Sequence, residues 1–508
     1  MTNLSEPCSK PKIDSEYPYE LNEMLAAVRV RPLTTDEEER MNACARTIDR
    51  ELAAGHPVYG LTQGFGPLVT FEAESETEQG ASLISHLGTA QGEPLPPEVC
   101  RLVVWLRLNS MRKGRSAVSP EFWTRLASAF DEGFVPVIPR DGTVSASGDL
   151  QPLAHAALAH TGVGEAWWFA DDGWSRVPAT TALRDLGVTP FAWPVREALA
   201  FVNGTGVGLA TAMENHRSAL ELTRAAALIT GRICALLESN PEHFADGVAI
   251  ARGQLGQRRA AAWIREALPV DARRSSQRPL QEPYSLRCAP QVLGAVLDQL
   301  THAGELLRRE SNGCTDNPVV VDDELLHAGN FHAMPVGFAS EQTGLAVHSA
   351  AYLLERQLGL LVNPVTNGGL PPMLTPRPGR GAGLAGVQLS ATSFVARMRQ
   401  LVYPASLTML PTNGWNQDHV PMALNSAVGV SDALDLGWLV VGSLAVGVAQ
   451  FTALMGVDPG ARGDDELWHR LAEVSPALDE DRPLAEEVRQ CRDLVRAKAR
   501  AALAVEAR

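Results

Sequence analysis

The sequence predicts a mainly α protein whose loops carry the chemistry. Three observations predict it. After Pro194, long segments rich in Leu, Ala, Glu and Arg repeat their apolar positions at helical spacing. Strand-like alternation is confined to short runs such as VPVIP and NPVVVDDELLH. The segments between the helical patterns are rich in Asn, Gln, Tyr and Gly, which surface padding does not require. With 45% hydrophobic and 20% charged residues, the chain of 508 can bury a sizeable core. No period of 20–50 residues repeats.

Taken in order, residues 1–20 (MTNLSEPCSKPKIDSEYPYE) lack an apolar signal region and read as a flexible lead-in. VYGLTQGFGPLV places Tyr59 among Gly60, Gly64 and Gly66. That tyrosine is either a mobile acid or base, or an anchoring aromatic in a bent loop. In GTVSASGDLQPLAHAAL, the small residues Ala146, Ser147 and Gly148 read as a tight turn before a helix. Ser147 or Asp149 is the expected N-cap, and Pro152 suits the first turn.

NGTGVGLATA, from Asn203, opens the next helix. Its glycines at 204, 206 and 208 miss the G-x-G-x-x-G spacing, and no βαβ pattern surrounds them, so a dinucleotide site is the weaker reading. The periodic runs 209–239, 291–311 and 340–362 are expected helices. Between them, QEPYSLRCAPQ offers Gln281, Tyr284 and Arg287, the last as a carboxylate clamp or a structural salt bridge. ESNGCTDNPV holds Glu310 and Asn317 in a turn and cap, and HAGNFH adds Asn330 and Phe331. A Pro/Gly-rich loop runs from Asn363 to Gly386, long enough to be functional or mobile. NGWNQDHVPM supplies Asn413, Asn416 and Gln417. The apolar run Gly437–Val457 is long enough to span a membrane, but it lacks flanking Lys or Arg and reads as a buried helix.

A formal charge of −15 argues against nucleic acid and anionic membrane as partners. Seven scattered cysteines without a CxxC pair fit reduced thiols and a cytoplasmic setting. The pairs His155/His160 and His327/His332 are five residues apart and share no helix face, so no metal site is expected.

The segments YGLTQGFG, LNSMRKGRS, SASGDLQPLAH, FVNGTG, EPYSLRCAPQ, ESNGCTDNP, GNFH and NQDHV, in this order, resemble the histidine/phenylalanine/tyrosine ammonia-lyase and aminomutase family, from about Tyr59 to Val420. The resemblance implies a long central helical bundle at 201–460, an N-terminal domain at 21–200 carrying a mobile Tyr59 loop and the prosthetic group, and a C-terminal helical segment at 461–508. It implies that Ala146-Ser147-Gly148 cyclises to 4-methylidene-imidazol-5-one, with no metal. By resemblance Tyr59 removes the β-proton, Arg287 holds the substrate carboxylate, and Asn203, Tyr284, Gln281, Asn330 and Phe331 surround the reacting groups. Gly66 would line the substrate. Each site would be shared among subunits of a homotetramer.

His86 and Leu87, counted back from Gly92, resemble the selectivity pair of tyrosine-specific members, while Ser85-His86, one residue earlier, would resemble that of histidine enzymes; Asn413, Asn416 and Gln417 resemble the tyrosine/phenylalanine branch and favour the first register. The implied reaction is L-tyrosine to p-coumarate. The alternatives are a 2,3-aminomutase giving a β-amino acid, a histidine or phenylalanine ammonia-lyase, a non-catalytic scaffold and a dinucleotide oxidoreductase. Thr143, Ser145, QGFGPL, Gly206 and Glu341 depart from the usual pattern and bear on the substrate more than on the prosthetic group.

Overall fold

The computed structural model describes residues 29–72, 76–170, 173–461 and 466–506. The lead-in at 1–20 and Cys8 lie outside them. Helices dominate, and the long ones pack side by side: Gly206–Leu237, Ala289–Ser311, Met334–Leu361, Ala423–Leu454 and Ala485–Glu506. Their shared core is aliphatic and alanine-rich, with Leu222, Ile233, Leu300, Leu354, Val441 and Leu444 fully or almost fully buried. Alanine and glycine let helix axes approach. A Cβ on Gly294 would collide with the Gln257 backbone, and one on Gly442 with Val488.

The apolar run expected at Gly437–Val457 belongs to a longer helix, Ala423–Leu454, capped at Met455. Polar residues Asn425, Ser431, Asp432 and Asp435 hid its first turns from a purely apolar reading. It is long and apolar enough to cross a membrane, yet 83% of its most apolar window is buried inside this chain, which is what a core helix does.

A second core fills the N-terminal half, where Trp123, Phe130, Phe201 and Val103 are buried among the helices Pro97–Met111, Pro120–Asp131, Leu150–His160 and Val195–Val202. Sheet structure is minor and antiparallel. The hairpin Val319–Val321/Glu324–Leu326 falls in NPVVVDDELLH, and the VPVIP run splits into Val135–Pro136 and Pro139–Asp141. Glu165–Ala170 and Gly173–Pro178 form a ladder that the composition gave no reason to expect. A helix, not a strand, precedes NGTGVG, so the dinucleotide fingerprint lacks its required context. The six described cysteines are unpaired.

Candidate active site

The turn at Ala146-Ser147-Gly148 lies where four helices begin. The helix Leu150–His160 follows it directly. Asp149 N–H donates to Gly204 O at 2.8 Å, beside the start of Gly206–Leu237. Ala333 N–H, ahead of Met334–Leu361, reaches Ser145 O at 3.4 Å, and Met422 N–H, ahead of Ala423–Leu454, reaches Val144 O at 3.1 Å. Helix N-termini present unpaired N–H groups and a positive dipole end. The turn therefore sits in a field that favours developing negative charge.

The turn is held in shape from every side. The Ala146 and Gly148 backbones pair across Ser147. Gly148 has φ +71°, in the left-handed region, and a Cβ there would collide with the Gly204 backbone, so only glycine fits. Ser145, one of the residues that depart from the usual pattern, also lies in the left-handed region at φ 57°. Its N–H donates to Thr143 Oγ1 (3.0 Å), its hydroxyl donates to Asp149 Oδ1 (2.7 Å), and that hydroxyl accepts from Leu424 N–H (3.1 Å).

Asp149 occupies the N-cap position of Leu150–His160, as expected, but its side chain does not cap that helix. Instead Oδ2 accepts from Gly208 N–H at 2.7 Å and caps Gly206–Leu237 across the fold. Burial pushes its carboxyl up; the N–H of Gly208, the Ser145 hydroxyl and the Arg107 guanidinium oppose that shift. Glu310 reinforces the same helix start. It accepts from the N-cap hydroxyl of Thr205 at 2.7 Å, and burial, with Asp149 nearby, raises its carboxyl. The small residues of the folded Ala146-Ser147-Gly148 turn fit the prosthetic group that the resemblance implies.

Gln417 comes from a distant loop to donate its amide N–H to Ser147 Oγ at 2.9 Å. That loop is closed by Thr412–Gln417 backbone pairs, and Asn413 within it stands next to Gly66. Asn416 is exposed. Asn203 is buried; its amide donates to Asn317 O at 3.2 Å, while its Oδ1 is left without a partner. Exposed Asn330 and half-buried Phe331 lead into the Ala333 contact with Ser145. Tyr59 is half-buried, its ring edge-on to Phe65, and its Oη accepts from Gly66 N–H at 2.8 Å. Burial raises the phenol pKa, and the Gly66 contact lowers it.

The other sequence-predicted residues stand elsewhere. Leu87 is buried in the N-terminal core, and exposed His86 turns Nδ1 to Ser82 O at 3.0 Å. Their helix, Glu76–Leu87, packs on Leu150–His160. Gln281, Tyr284 and Arg287 lie at the opposite end of the bundle. Met334–Leu361 measures the gap: Ser145 O meets its start, and Ser285 O meets Gln357 Nε2 at 2.9 Å. At 1.5 Å per residue that is about 35 Å. Gly206–Leu237 agrees, because Gly208 holds Asp149 while Thr230 Oγ1 lies 3.2 Å from Gln357 Oε1, about 33 Å along. Tyr284 is 70% exposed there, with the Arg287 guanidinium 4.8 Å from its ring centroid. One chain does not bring Tyr59 and Arg287 together.

Sequence reasoning missed Arg107, Arg196 and Asp316. Arg107 is fully buried and donates to Thr315 Oγ1 (3.1 Å) and to Ala200 O; Arg196 pairs with Asp316 beneath Asn203. The signal was available in PEVCRLVVWLRLNSM, where a guanidinium inside an apolar helix demands a partner.

Comparison with known proteins agrees with this architecture. The model for aromatic amino acid lyase matches residues 20–473. The tyrosine aminomutase from Streptomyces globisporus is 30% identical, with a TM-score of 0.84 over 93% of this chain and 94% of that one. Histidine ammonia-lyase from Trypanosoma cruzi is 28% identical, with a TM-score of 0.81 over 92% and 89%. Pantoea agglomerans phenylalanine aminomutase, 24% identical over 94% and 96%, shares the fold at a TM-score of 0.86. The chain belongs to the aromatic amino acid lyase family, a family of ammonia-lyases and aminomutases.

Proposed function

We propose that this enzyme eliminates ammonia from an aromatic L-amino acid, L-tyrosine first, using a 4-methylidene-imidazol-5-one made from its own Ala146, Ser147 and Gly148. The observation that carries the reading is the folded Ala146-Ser147-Gly148 turn, with the Gln417 amide on the Ser147 hydroxyl. Gly148 N attacks the Ala146 carbonyl carbon, a C–N bond forms and water leaves. Ser147 then loses its Cα proton and its hydroxyl as a second water, and the Gln417 amide supports the departing oxygen. The ring, once formed, supplies an electrophile for the substrate amine, which makes nitrogen a better leaving group.

Tyr59 is the base for the weakly acidic β-proton, and it must give up its own phenol proton first. Arg287 of another copy holds the substrate carboxylate through its guanidinium fork. The separation of about 35 Å within one chain supports a site shared among the subunits of a homotetramer. His86 reads the substrate phenol, and a hydrogen bond to a hydroxyl discriminates strongly against its absence.

The likeness to a tyrosine aminomutase favours a second reading, in which the amine returns to the β-carbon before the unsaturated acid escapes. Incubating the purified enzyme separately with L-tyrosine, L-phenylalanine and L-histidine, followed by mass spectrometry and NMR, tests both. Unsaturated acid and ammonia from tyrosine support the lyase, and a β-amino acid supports the aminomutase. Turnover of L-histidine alone would refute the aromatic reading.

A further inference from the structure

We propose that His327 is a positioning residue for Tyr59, fixing the backbone from which the phenol projects. The inference rests on the reading of Tyr59 as the base. Tyr59 N–H donates to His327 Nε2 at 3.1 Å, across 268 residues of sequence. Among the described residues, the other hydrogen bonds of the 58–72 segment stay within it, among them Val58 N–H to Thr62 Oγ1, Leu61 and Thr62 N–H to Val58 O, Gly64 N–H to Phe71 O, and Gly66 N–H to Tyr59 Oη. Polar contacts of that kind shape a loop without locating it. Buried Val58 and Leu61 root its base in a small apolar cluster. The Tyr59 ring packs against the N-terminal core, and His327 adds a polar tie at the Tyr59 backbone itself.

His327 is itself anchored to the prosthetic turn. It directly follows the hairpin Val319–Val321/Glu324–Leu326. Next to it, Ala328 N–H donates to Asn317 Oδ1 at 2.7 Å. Asn317 O accepts from Asn203 at 3.2 Å, and the adjoining Gly204 O accepts from Asp149 N–H at 2.8 Å. A continuous run of contacts therefore leads from Gly148 to the Tyr59 amide. To accept that N–H, Nε2 has to be unprotonated, with the ring proton on Nδ1. Partial burial, then the Arg196 guanidinium, disfavours the imidazolium and keeps Nε2 an acceptor.

The test compares wild type with His327→Ala and His327→Gln, whose amide oxygen can still accept the Tyr59 N–H. Hydrogen exchange over residues 57–66 reads the anchor directly. Intact mass reads cyclisation, and kcat and KM with L-tyrosine read its use. In His327→Ala, exchange over 57–66 is expected to quicken about 2- to 10-fold, the scale of one lost hydrogen bond. The mass should stay two waters below sequence, kcat should fall further than KM changes, and His327→Gln should recover much of both. Unchanged exchange in His327→Ala, or a glutamine variant as impaired as the alanine one, overturns the assignment. If wild type leaves L-tyrosine untouched, the substrate reading fails on its own, and exchange still decides whether His327 holds Tyr59.

Discussion

Ser147→Ala deletes the hydroxyl that has to leave as water, while the turn keeps its glycine and its anchors. Its intact mass should be at most one water below the sequence, whereas wild type should weigh about 36 Da less (two waters). Turnover should vanish with the fold unchanged, and full activity in this variant would sink the mechanism. Tyr59→Phe should cut kcat about 10²- to 10⁴-fold, the usual contribution of a positioned base. Because burial raises the Tyr59 phenol above its ordinary value, the phenolate fraction grows as pH rises. kcat should therefore climb through the alkaline range in wild type and lose that limb in Tyr59→Phe. His86→Phe should move preference from tyrosine toward phenylalanine, and no change in the ratio of kcat/KM would mean that another residue reads the ring. At this scale the motifs singled out Tyr59, Ser147 and Gln417, and the structure brings the Gln417 amide to the Ser147 hydroxyl. The cross-fold contacts of Asp149 and His327 were not foreseen, since their partners Gly208 and Tyr59 stand 59 and 268 residues away.

Helices were legible where one face is consistently apolar. The 291–311 pattern lies within Ala289–Ser311, and 340–362 lies almost wholly in Met334–Leu361. The start of Ala423–Leu454 was hidden because its mostly buried first turns also carry half-buried Asp432, which pairs with Arg140 at 2.9 Å. The cap of Gly206–Leu237 was hidden for a different reason. Its N-cap Thr205 makes no cap bond of its own, and Asp149 supplies one from another element. Asp149→Ala should therefore destabilise the enzyme by at least the cost of a lost cap, about 0.5–2 kcal/mol, and slow cyclisation. Urea midpoints and the fraction of protein two waters light measure the two effects. An unchanged midpoint would show that the cross-fold cap contributes nothing.

At the scale of the whole molecule, the bundle works as a spacer. It holds the Ala146-Ser147-Gly148 turn at one end and Tyr284 with Arg287 at the other, so under the proposed roles two chains would have to meet to complete a site. Tyr59→Phe and Arg287→Ala chains, each inactive alone, should regain roughly a quarter of wild-type activity when co-expressed, as random mixing of subunits restores some intact sites. No recovery in a mixed, correctly assembled oligomer would place both residues in one chain's site.

By itself, the sequence determined the helical class and the family resemblance, and it marked Ala146-Ser147-Gly148 as the turn to which the proposal assigns the chemistry. Each is encoded locally, in apolar periodicity or in residue types that one chemistry needs side by side. Only the tertiary structure decided which helix Asp149 caps, that four helix N-termini converge on the turn, and that Arg287 lies about 35 Å from it. Those are outcomes of packing between elements far apart in the chain. No local pattern records which helix end meets which loop, because that is settled by how the bundle buries its apolar faces.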